Sequence, residues 1–346
     1  MGANVYGQLG DGTTNTAFFP EQIVASGVTA IAAGRQHSLF LKGDGSLWGI
    51  GWNYYGQLAD GSLRNTNQPQ QIVASNVTAV AAGYAHSLFL ESDGSLWAMG
   101  WNDWGQLGIG RDYNPWLSFH PIQIEASNVT AIAAGTYHSL FIKNDGSLWG
   151  MGGNFYGQLG NGYPELGVFL PEQIEASDVT AIAAAGDHSL FLKNDGSLWA
   201  TGWNSYGQLG DGTDNYYTNS PEQIVASNIT AIAAGETHSL FLKSDGSLWA
   251  MGANTTTNIN RPEQIVAGPP GYGSNQVSIQ LLSGGDVCSY FGAVAGTNYV
   301  LDRSVSLSPD NWVPQATNPA GAWGVAVFTN TPDPTTNNFW RIRSVP

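Results

Sequence analysis

The sequence predicts an all-β protein, and three observations support this prediction. A repeat of about 50 residues runs through most of the 346 residues, each repeat contains an Asp-Gly pair, and no segment shows the 3.6-residue apolar period of a helix. A repeat of roughly 40–50 residues with four short strands is typical of a β-propeller blade. We therefore expect an all-β chain with five complete four-stranded blades, a partial N-terminal repeat and a small C-terminal β domain.

Four strands are predicted in each repeat. Val28–Ala33 is apolar, and His37–Lys42 and Ser46–Ile50 flank an Asp-Gly turn, which is the strongest short hairpin signal. Gln22–Ala25 follows a proline and precedes the first complete repeat, so it is predicted to be an outer edge strand.

The repeat is recognised by a histidine followed by a fixed series of motifs. The string Gly-x-x-His-Ser-Leu-Phe is followed seven residues after its histidine by Asp-Gly-Ser-Leu-Trp, and then by Gly-x-Asn-x-x-Gly-Gln-Leu. The intervals between the histidines are 49, 52, 50 and 50 residues. The five histidines are His37, His86, His138, His188 and His238.

These motifs resemble the regulator of chromosome condensation repeat, a β-propeller family. The resemblance covers residues 1–268 and rests, in the first complete copy, on Gly34, His37, Asp44, Gly45, Trp48, Gly51, Asn53, Gly56, Gln57 and Leu58. Two departures are evident. The fourth copy has Ala185 in place of the first glycine, and the family's tryptophan before the Gly-x-Asn motif is replaced by Ile50, Met99, Met151, Thr201 and Met251.

The blade count is an open question at this stage. Met1–Asn4 repeats Met251–Asn254 letter for letter, so the chain starts inside a repeat. The resemblance implies a ring of about seven blades, within the usual range for propellers. A truncated product or fragment is one interpretation, and a smaller or open ring is the other.

A separate C-terminal domain is predicted where the repeat period is lost. We assign residues 1–268 to the propeller, 269–274 to a Gly/Pro linker and 275–346 to a small β domain. Gly296–Arg303, Asn311-Trp312 and Asn338–Arg343 resemble the small β-sandwich at the C-termini of secreted bacterial proteins. The resemblance implies an extracellular or cell-surface protein, although the chain as given carries no signal peptide. The predicted strands are Val277–Leu282, Tyr299–Arg303, Trp312–Gln315, Ala322–Phe328 and Phe339–Ile342.

Composition excludes several classes of function. The net charge of −15 argues against nucleic acid as a partner, because phosphate binding needs clustered Lys and Arg. Cys288 is the single cysteine, which excludes an internal disulfide and a cysteine-based zinc site. No apolar run approaches the ~18 residues that cross a bilayer, so we expect no membrane insertion.

No catalytic or metal-binding group stands out from the repeats. The five histidines occupy one equivalent place per blade, and we predict a structural role in which each imidazole bonds to backbone at a strand start. Each Asp before Gly is expected to cap its own turn. We therefore predict a protein that is not an enzyme and that has no cofactor and no metal.

Aromatic residues at variable positions are the best candidates for a binding surface. Three lie between the conserved Gly and Asn, and two lie just before a repeat histidine: Trp52, Trp101, Trp203, Tyr84 and Tyr137. The alternative is that these rings only pack on blade edges. The longer loops Arg111–Phe119 and Tyr163–Phe169 are expected on the same face.

The predicted function is a non-catalytic binding scaffold, secreted or on the cell surface, whose loop face contacts a protein or a glycan. One alternative is a guanine nucleotide exchange factor for a small GTPase, as the family resemblance implies. Against it, the uniform repeat lengths leave no room for an inserted wedge. The other alternative is an enzyme inhibitor, since similar bacterial propellers present aromatic loops to β-lactamases.

Overall fold

The chain forms two compact units, Met1–Gln264 and Ile265–Pro346. The computed structural model describes residues 1–111, 116–163, 165–213, 215–253 and 258–265, and the backbone of six strands between residues 277 and 345. The predicted linker 269–274 and the boundary at residue 268 lie outside these residues. No helix in the described part of the chain is long and apolar enough to span a bilayer.

Met1–Gln264 contains five four-stranded antiparallel sheets, one for each repeat, which confirms the predicted blades. Strand order follows chain order in every sheet. The first blade is β1 (Val28–Ala33), β2 (His37–Lys42), β3 (Leu47–Gly51) and β4 (Thr66–Val73); the second is β5 (Val77–Ala82), β6 (His86–Glu91), β7 (Leu96–Trp101) and β8 (Leu117–Glu125); the third is β9 (Val129–Ala134), β10 (His138–Lys143), β11 (Leu148–Asn154) and β12 (Glu165–Glu175). The fourth is β13 (Val179–Ala185), β14 (His188–Lys193), β15 (Leu198–Trp203) and β16 (Tyr217–Val225), and the fifth is β17 (Ile229–Ala234), β18 (His238–Lys243), β19 (Leu248–Gly252) and β20 (Ile259–Gln264).

The hairpin between the second and third strands is closed by the Asp-Gly motif. Gly45 has φ of 77°, a left-handed conformation that glycine adopts without a Cβ penalty. The Asp44 carboxylate accepts hydrogen bonds from the Ser46 hydroxyl at 2.6 Å and from the Ser46 amide at 2.9 Å, and these two bonds lower its pKa. The Trp48 indole N–H then donates to the Ser46 hydroxyl at 2.8 Å. Aspartate at this position therefore stabilises a turn.

The predicted edge strand Gln22–Ala25 is wrong. These residues are not a strand, whereas their counterparts in later repeats, such as Thr66–Val73, pair with the third strand of a blade. Residues 1–27 contain no such third strand, only an isolated bridge between Gly2 and Ala17. An edge strand forms only where a neighbouring strand offers its backbone groups.

The core lies between adjacent blades. Phe89 and Met99 of the second blade are buried against Leu39, Leu47 and Leu58 of the first. Equivalent phenylalanines fill the next three interfaces, and burial of each contributes roughly 1.5–3 kcal/mol. The equivalents are Phe141, Phe191 and Phe241.

Among the described residues, no further four-stranded blade packs against the outward sides of the first and fifth blades. Ile31 in β1 is 80% exposed, and Leu242 in β18 is 38% exposed. The equivalent leucines of the first, second and fourth blades, Leu41, Leu90 and Leu192, are at most 4% exposed.

Ile265–Pro346 contains six strands in two three-stranded antiparallel sheets. One sheet has the order β21–β22–β25 and the other β24–β23–β26. The strand β22 is additional to the five that the sequence predicts. The bounds are β21 (Val277–Leu281), β22 (Val287–Gly292), β23 (Asn298–Ser304), β24 (Val313–Pro319), β25 (Val325–Asn330) and β26 (Phe339–Val345).

Candidate binding surface

The two variable loops of each blade meet at one end of the propeller, which we call the loop face. There the residue after the conserved glycine donates its backbone N–H to the carbonyl of the residue before the repeat histidine. Trp101 donates to Ala85 at 2.9 Å, and Gly153 donates to Tyr137 at 2.7 Å. The Asp-Gly turns lie at the opposite end of the same strands, which we call the turn face. The two predicted sets of variable positions are therefore joined directly.

The Gly-x-Asn-x-x-Gly-Gln-Leu motif folds each loop from within. The Asn53 side-chain oxygen accepts from the Leu58 amide at 2.9 Å, and the Gln57 side-chain oxygen accepts from the Tyr55 amide at 3.1 Å. Asn53 and Gln57 are fully buried. The equivalent pair of bonds recurs in every copy of the motif in the chain. These bonds hold the intervening aromatic side chain in a fixed place.

Four of the five predicted binding residues meet in one cluster on the loop face. The ring of Tyr84 lies 6.0 Å from Trp52, 6.1 Å from Trp101 and 5.7 Å from Tyr137. Trp101 also contacts Tyr137 edge-on at 5.7 Å. All four residues are half-buried, so each ring both packs against its neighbours and reaches solvent.

Trp203 is the exception, because it lies in a second cluster. Its ring is 5.9 Å from Tyr156 and 5.3 Å from Tyr206. The third blade carries Gly153 where the first, second and fourth blades carry tryptophan, so the row of rings is interrupted there.

The first cluster contains two further rings that sequence reasoning missed. Tyr55 lies 5.4 Å from Trp52 and 5.1 Å from Trp101, and Tyr6 lies 5.9 Å from Trp52. A signal for them was present, since the residue before Gly-Gln-Leu is aromatic in all five copies. We call the six rings the aromatic patch: Tyr6, Trp52, Tyr55, Tyr84, Trp101 and Tyr137.

The two longer loops expected on this face each run into the start of an outer strand. Leu117 begins β8 and Glu165 begins β12, so Arg111–Phe119 and Tyr163–Phe169 each include the start of an outer strand. Residues 112–115 and 164 lie outside the described part of the chain. A Cβ added at Gly56 would lie 2.7 Å from the Phe119 backbone, so the start of β8 packs on the loop of the preceding blade.

Charged groups surround the aromatic patch. The Arg35 guanidinium carbon lies 4.6 Å from the centre of the Tyr84 ring. The Asp187 carboxylate accepts from the Gln158 side-chain amide at 3.3 Å, and burial, followed by the neighbouring Glu236, raises its pKa to about 6. Burial, followed by the hydroxyl of Tyr84 and the carboxylate of Asp187, raises the pKa of Tyr137.

The repeat histidines lie beneath this face and connect adjacent blades. His37, His86, His138 and His188 are at most 1% exposed, and the Nε2 atom of each lies 2.8–3.0 Å from a serine hydroxyl of the next blade. Their partners are Ser87, Ser139, Ser189 and Ser239. The partner is thus a side chain of the following repeat, where the sequence suggested backbone. His238 is exposed.

The hydrogen bonds determine the tautomer of these imidazoles. Ser139 donates its hydroxyl proton to the Gln106 carbonyl at 2.8 Å, so the Nε2–H of His86 must donate to the serine oxygen. The Nδ1 atom is buried without a hydrogen-bond partner. A proton there would create a buried charge, and burial accordingly lowers the pKa of His86 to about 3 and that of His188 to about 4.

The described residues contain no group of three His, Cys, Asp or Glu side chains placed to hold a metal ion. The motif side chains instead bond to one another and to backbone, as the histidine, asparagine and glutamine contacts show. What this end of the molecule offers chemically is a surface of fixed rings with charged groups around it.

The five four-stranded blades and their interlocking loops define a β-propeller. The chain belongs to the regulator of chromosome condensation (RCC1) repeat family, whose repeat matches residues 1–41, 44–90, 93–142, 145–192 and 195–242. A second description of the same repeat matches residues 28–57, 77–106, 129–158, 179–208 and 229–256. The resemblance predicted from the motifs is therefore confirmed for the propeller.

Solved structures of RCC1-like propellers share this fold. Human WBSCR16 superposes with a TM-score of 0.63 at 23% identity, over 78% of each chain. Prp20p from Saccharomyces cerevisiae superposes with a TM-score of 0.60 at 24% identity, over 76% of this chain and 71% of that one. Yeast RCC1 (Prp20) bound to Kap60 gives 0.56 at 19% identity, over 73% and 77%. A comparison with curated proteins found no match.

Proposed function

We propose that this protein is a non-catalytic scaffold that binds a partner protein through the aromatic patch. The contiguity of six half-buried rings on one face carries the proposal. Tyrosine and tryptophan are enriched at protein interfaces because they supply large contact area with few rotatable bonds.

The patch is held rigid before any partner arrives. The backbone N–H of Trp52 donates to Gln36 at 2.9 Å, and that of Trp101 donates to Ala85 at 2.9 Å. Tyr55 is fixed by the buried Gln57 side chain. Rings that are already ordered lose less conformational entropy on binding, which favours affinity.

The nature of the partner is supported by a family member of the same fold. The structure of Prp20p is described with its binding properties to Gsp1p and histones, and a further structure shows yeast RCC1 bound to Kap60. One propeller of this fold thus binds proteins, which favours a protein over a glycan for the patch described here.

Two other binding activities are alternatives. Guanine nucleotide exchange on a small GTPase remains one because of the family, and inhibition of an enzyme such as a β-lactamase remains the other because of the aromatic loops. Release of labelled GDP from a panel of GTPases and residual β-lactamase activity measure these directly.

We also propose that the protein acts outside the cell or at its surface. The proposal rests on the motifs in Gly296–Arg303 and Asn338–Arg343, which resemble those of secreted bacterial proteins, and on the small number of charged residues. Fractionation of cells that express the full reading frame tests it, and exclusive recovery in the cytosol would contradict it.

The test of the binding proposal is a screen of protein and glycan arrays with the chain and two variants. Trp101→Ala removes a ring of the patch, and the matched control Trp97→Ala removes a tryptophan at the turn face, whose indole N–H donates to the Ser95 hydroxyl at 2.9 Å. We expect a protein ligand whose binding is weakened by Trp101→Ala alone, with both variants folded by their melting temperatures. Equal binding by both variants, or a glycan ligand, would contradict the proposal.

A further inference from the structure

We propose that the aromatic patch binds arginine or lysine side chains of its partner protein. This inference rests on the proposed function and names the chemistry that the surface recognises. It follows from one cation already bound there, from neighbouring rings that carry no cation, and from carboxylates beside them.

The first step is the contact between Arg35 and Tyr84. The guanidinium carbon of Arg35 lies 4.6 Å from the ring centre, within the range of an attractive cation–π contact. Arg35 is exposed and contributes its cation from the loop before His37. The face of the patch therefore accommodates a guanidinium group in a solvent-accessible position.

The second step is that, in the described part of the chain, no cation lies over the neighbouring rings. Among the described residues, the other cations over rings lie on blade strands or near β12, such as Lys143 over Trp149 at 4.2 Å and Arg111 over Phe169 at 4.5 Å. Within that same part of the chain, Trp52, Trp101 and Tyr137 hold none. These rings are open to cations that come from another molecule.

The third step is the negative charge beside the patch. Burial and then the exposed Asp103 raise the pKa of Tyr55, and Asp187 is among the groups that, after burial, raise that of Tyr137. One carboxylate therefore lies near the middle of the patch, beside Tyr55, and another lies near its Tyr137 end. Glu236 lies close enough to Asp187 to raise its pKa. A partner cation over Trp101 or Tyr137 gains both the ring quadrupole and a nearby carboxylate, and the net charge of −15 favours its approach.

The same charges disfavour an acidic partner. An acidic segment would approach the carboxylates near Tyr55 and Tyr137, and Arg35 is the cation that contacts the patch. Like charges across an interface suppress binding, so the surface discriminates between basic and acidic partners.

The experiment is selection from a random dodecapeptide library displayed on phage, with the full chain as bait. Selected peptides are synthesised in pairs, with Arg and Lys retained or replaced by Gln, and titrated against the chain and against Trp101→Ala, Asp187→Asn and Trp97→Ala. We expect sequences rich in Arg or Lys that bind about tenfold more weakly after replacement by Gln, and also more weakly to Trp101→Ala and Asp187→Asn. Trp97→Ala, at the turn face, is expected to leave their affinity unchanged.

The contrary outcomes separate the two proposals. Peptides that need Trp101 but bind equally well with Gln in place of Arg and Lys would overturn the cation inference and leave the protein-binding function intact. Peptides that bind Trp101→Ala and the unmodified chain alike would overturn the proposed function and the cation inference together.

Discussion

The imidazole Nε2 of His86 lies 3.0 Å from the hydroxyl of Ser139, which belongs to the next blade of the propeller. The same serine donates to the Gln106 carbonyl in the loop of the histidine's own blade. Each such histidine and serine thus joins two blades and one loop, and His86 and His138 directly follow patch loops that contain Tyr84 and Tyr137. The patch rings come from different blades, so the distances between them depend on these histidine–serine hydrogen bonds.

Removal of one histidine is expected to weaken a blade interface. His138→Ala leaves the Ser189 hydroxyl without its donor, and we expect the free energy of unfolding to fall by roughly 1–3 kcal/mol in urea titrations. Ser189→Ala and the double variant complete a cycle that isolates the energy of the pair. Ligand binding is expected to persist in folded protein. A loss of binding at an unchanged melting temperature would show that the histidine has a role beyond structure.

Acid is expected to destabilise the propeller through the same groups. Burial lowers the pKa of His138 to about 3 and that of His37 to about 4, against ~6.5 in an unfolded chain. The unfolded state therefore binds more protons below pH ~6.5, and stability falls as the pH falls, by up to about 1.4 kcal/mol per pH unit for each histidine.

The slope of stability against pH is the measurement. Urea midpoints between pH 7 and pH 5 are compared for the unmodified chain, for His138→Gln and for His120→Gln, which removes an exposed imidazole. We expect a shallower slope for His138→Gln only. Identical slopes for all three proteins would show that the buried histidines do not control acid stability.

Asp187 is expected to act in the opposite direction. Its pKa is raised to about 6 in the folded state, mainly by burial, so the folded state holds the proton more tightly. Stability from this group is present at low pH and is lost as the pH rises from ~4 through 6. Asp187→Asn retains an acceptor for Gln158, and after allowance for solvent screening it should stabilise the protein at pH 8 by on the order of 1 kcal/mol. A destabilised variant at pH 8, measured by urea titration, would contradict this.

In four of the five blades a glycine lies three residues before the repeat histidine. We expect this glycine to be needed because the imidazole ring leaves no space for a Cβ. A Cβ added at Gly135 would overlap the Cε1 atom of His138, so Gly135→Ala must displace the ring and should lower the unfolding free energy by about 1–3 kcal/mol. The matched control is Ala185→Gly, because the fourth blade already accommodates a Cβ there by extending β13 to Ala185. An equal loss of unfolding free energy in Gly135→Ala and Ala185→Gly, measured by urea titration, would contradict the steric explanation.

Much of the fold could be predicted from the sequence, because the repeated motifs specify local structure. Asp-Gly turns and apolar strands recur in each repeat and are found as expected. The strand Gln22–Ala25 was wrong because pairing depends on a neighbour that local pattern does not reveal. The partner of each histidine was also missed, since Ser139 lies 53 residues from His86 and contacts it only once the blades stack.

The candidate site was predicted in part. Tyr84, Trp101 and Tyr137 were selected as variable aromatic positions, and the structure brings them together with Trp52. Trp203 meets the same criterion but lies in a separate cluster, because the third blade has Gly153 where its neighbours have tryptophan and the series of rings is interrupted there. The motif pattern does not single out Tyr55, because it leaves the residue before Gly-Gln-Leu unspecified, although that residue is aromatic in all five copies.

The most direct test of the central claim, that the loop face binds the partner, is amide hydrogen exchange with and without a bound peptide from the library selection. We predict protection in the loops of the patch, around Trp52–Gly56, Tyr84–Ala85, Trp101–Gly105 and Tyr137. Exchange at the Asp-Gly turns, around Asp93–Ser95 and Asp145–Ser147, should be unchanged. Protection confined to those turns, at the opposite end of the blades, would contradict the claim.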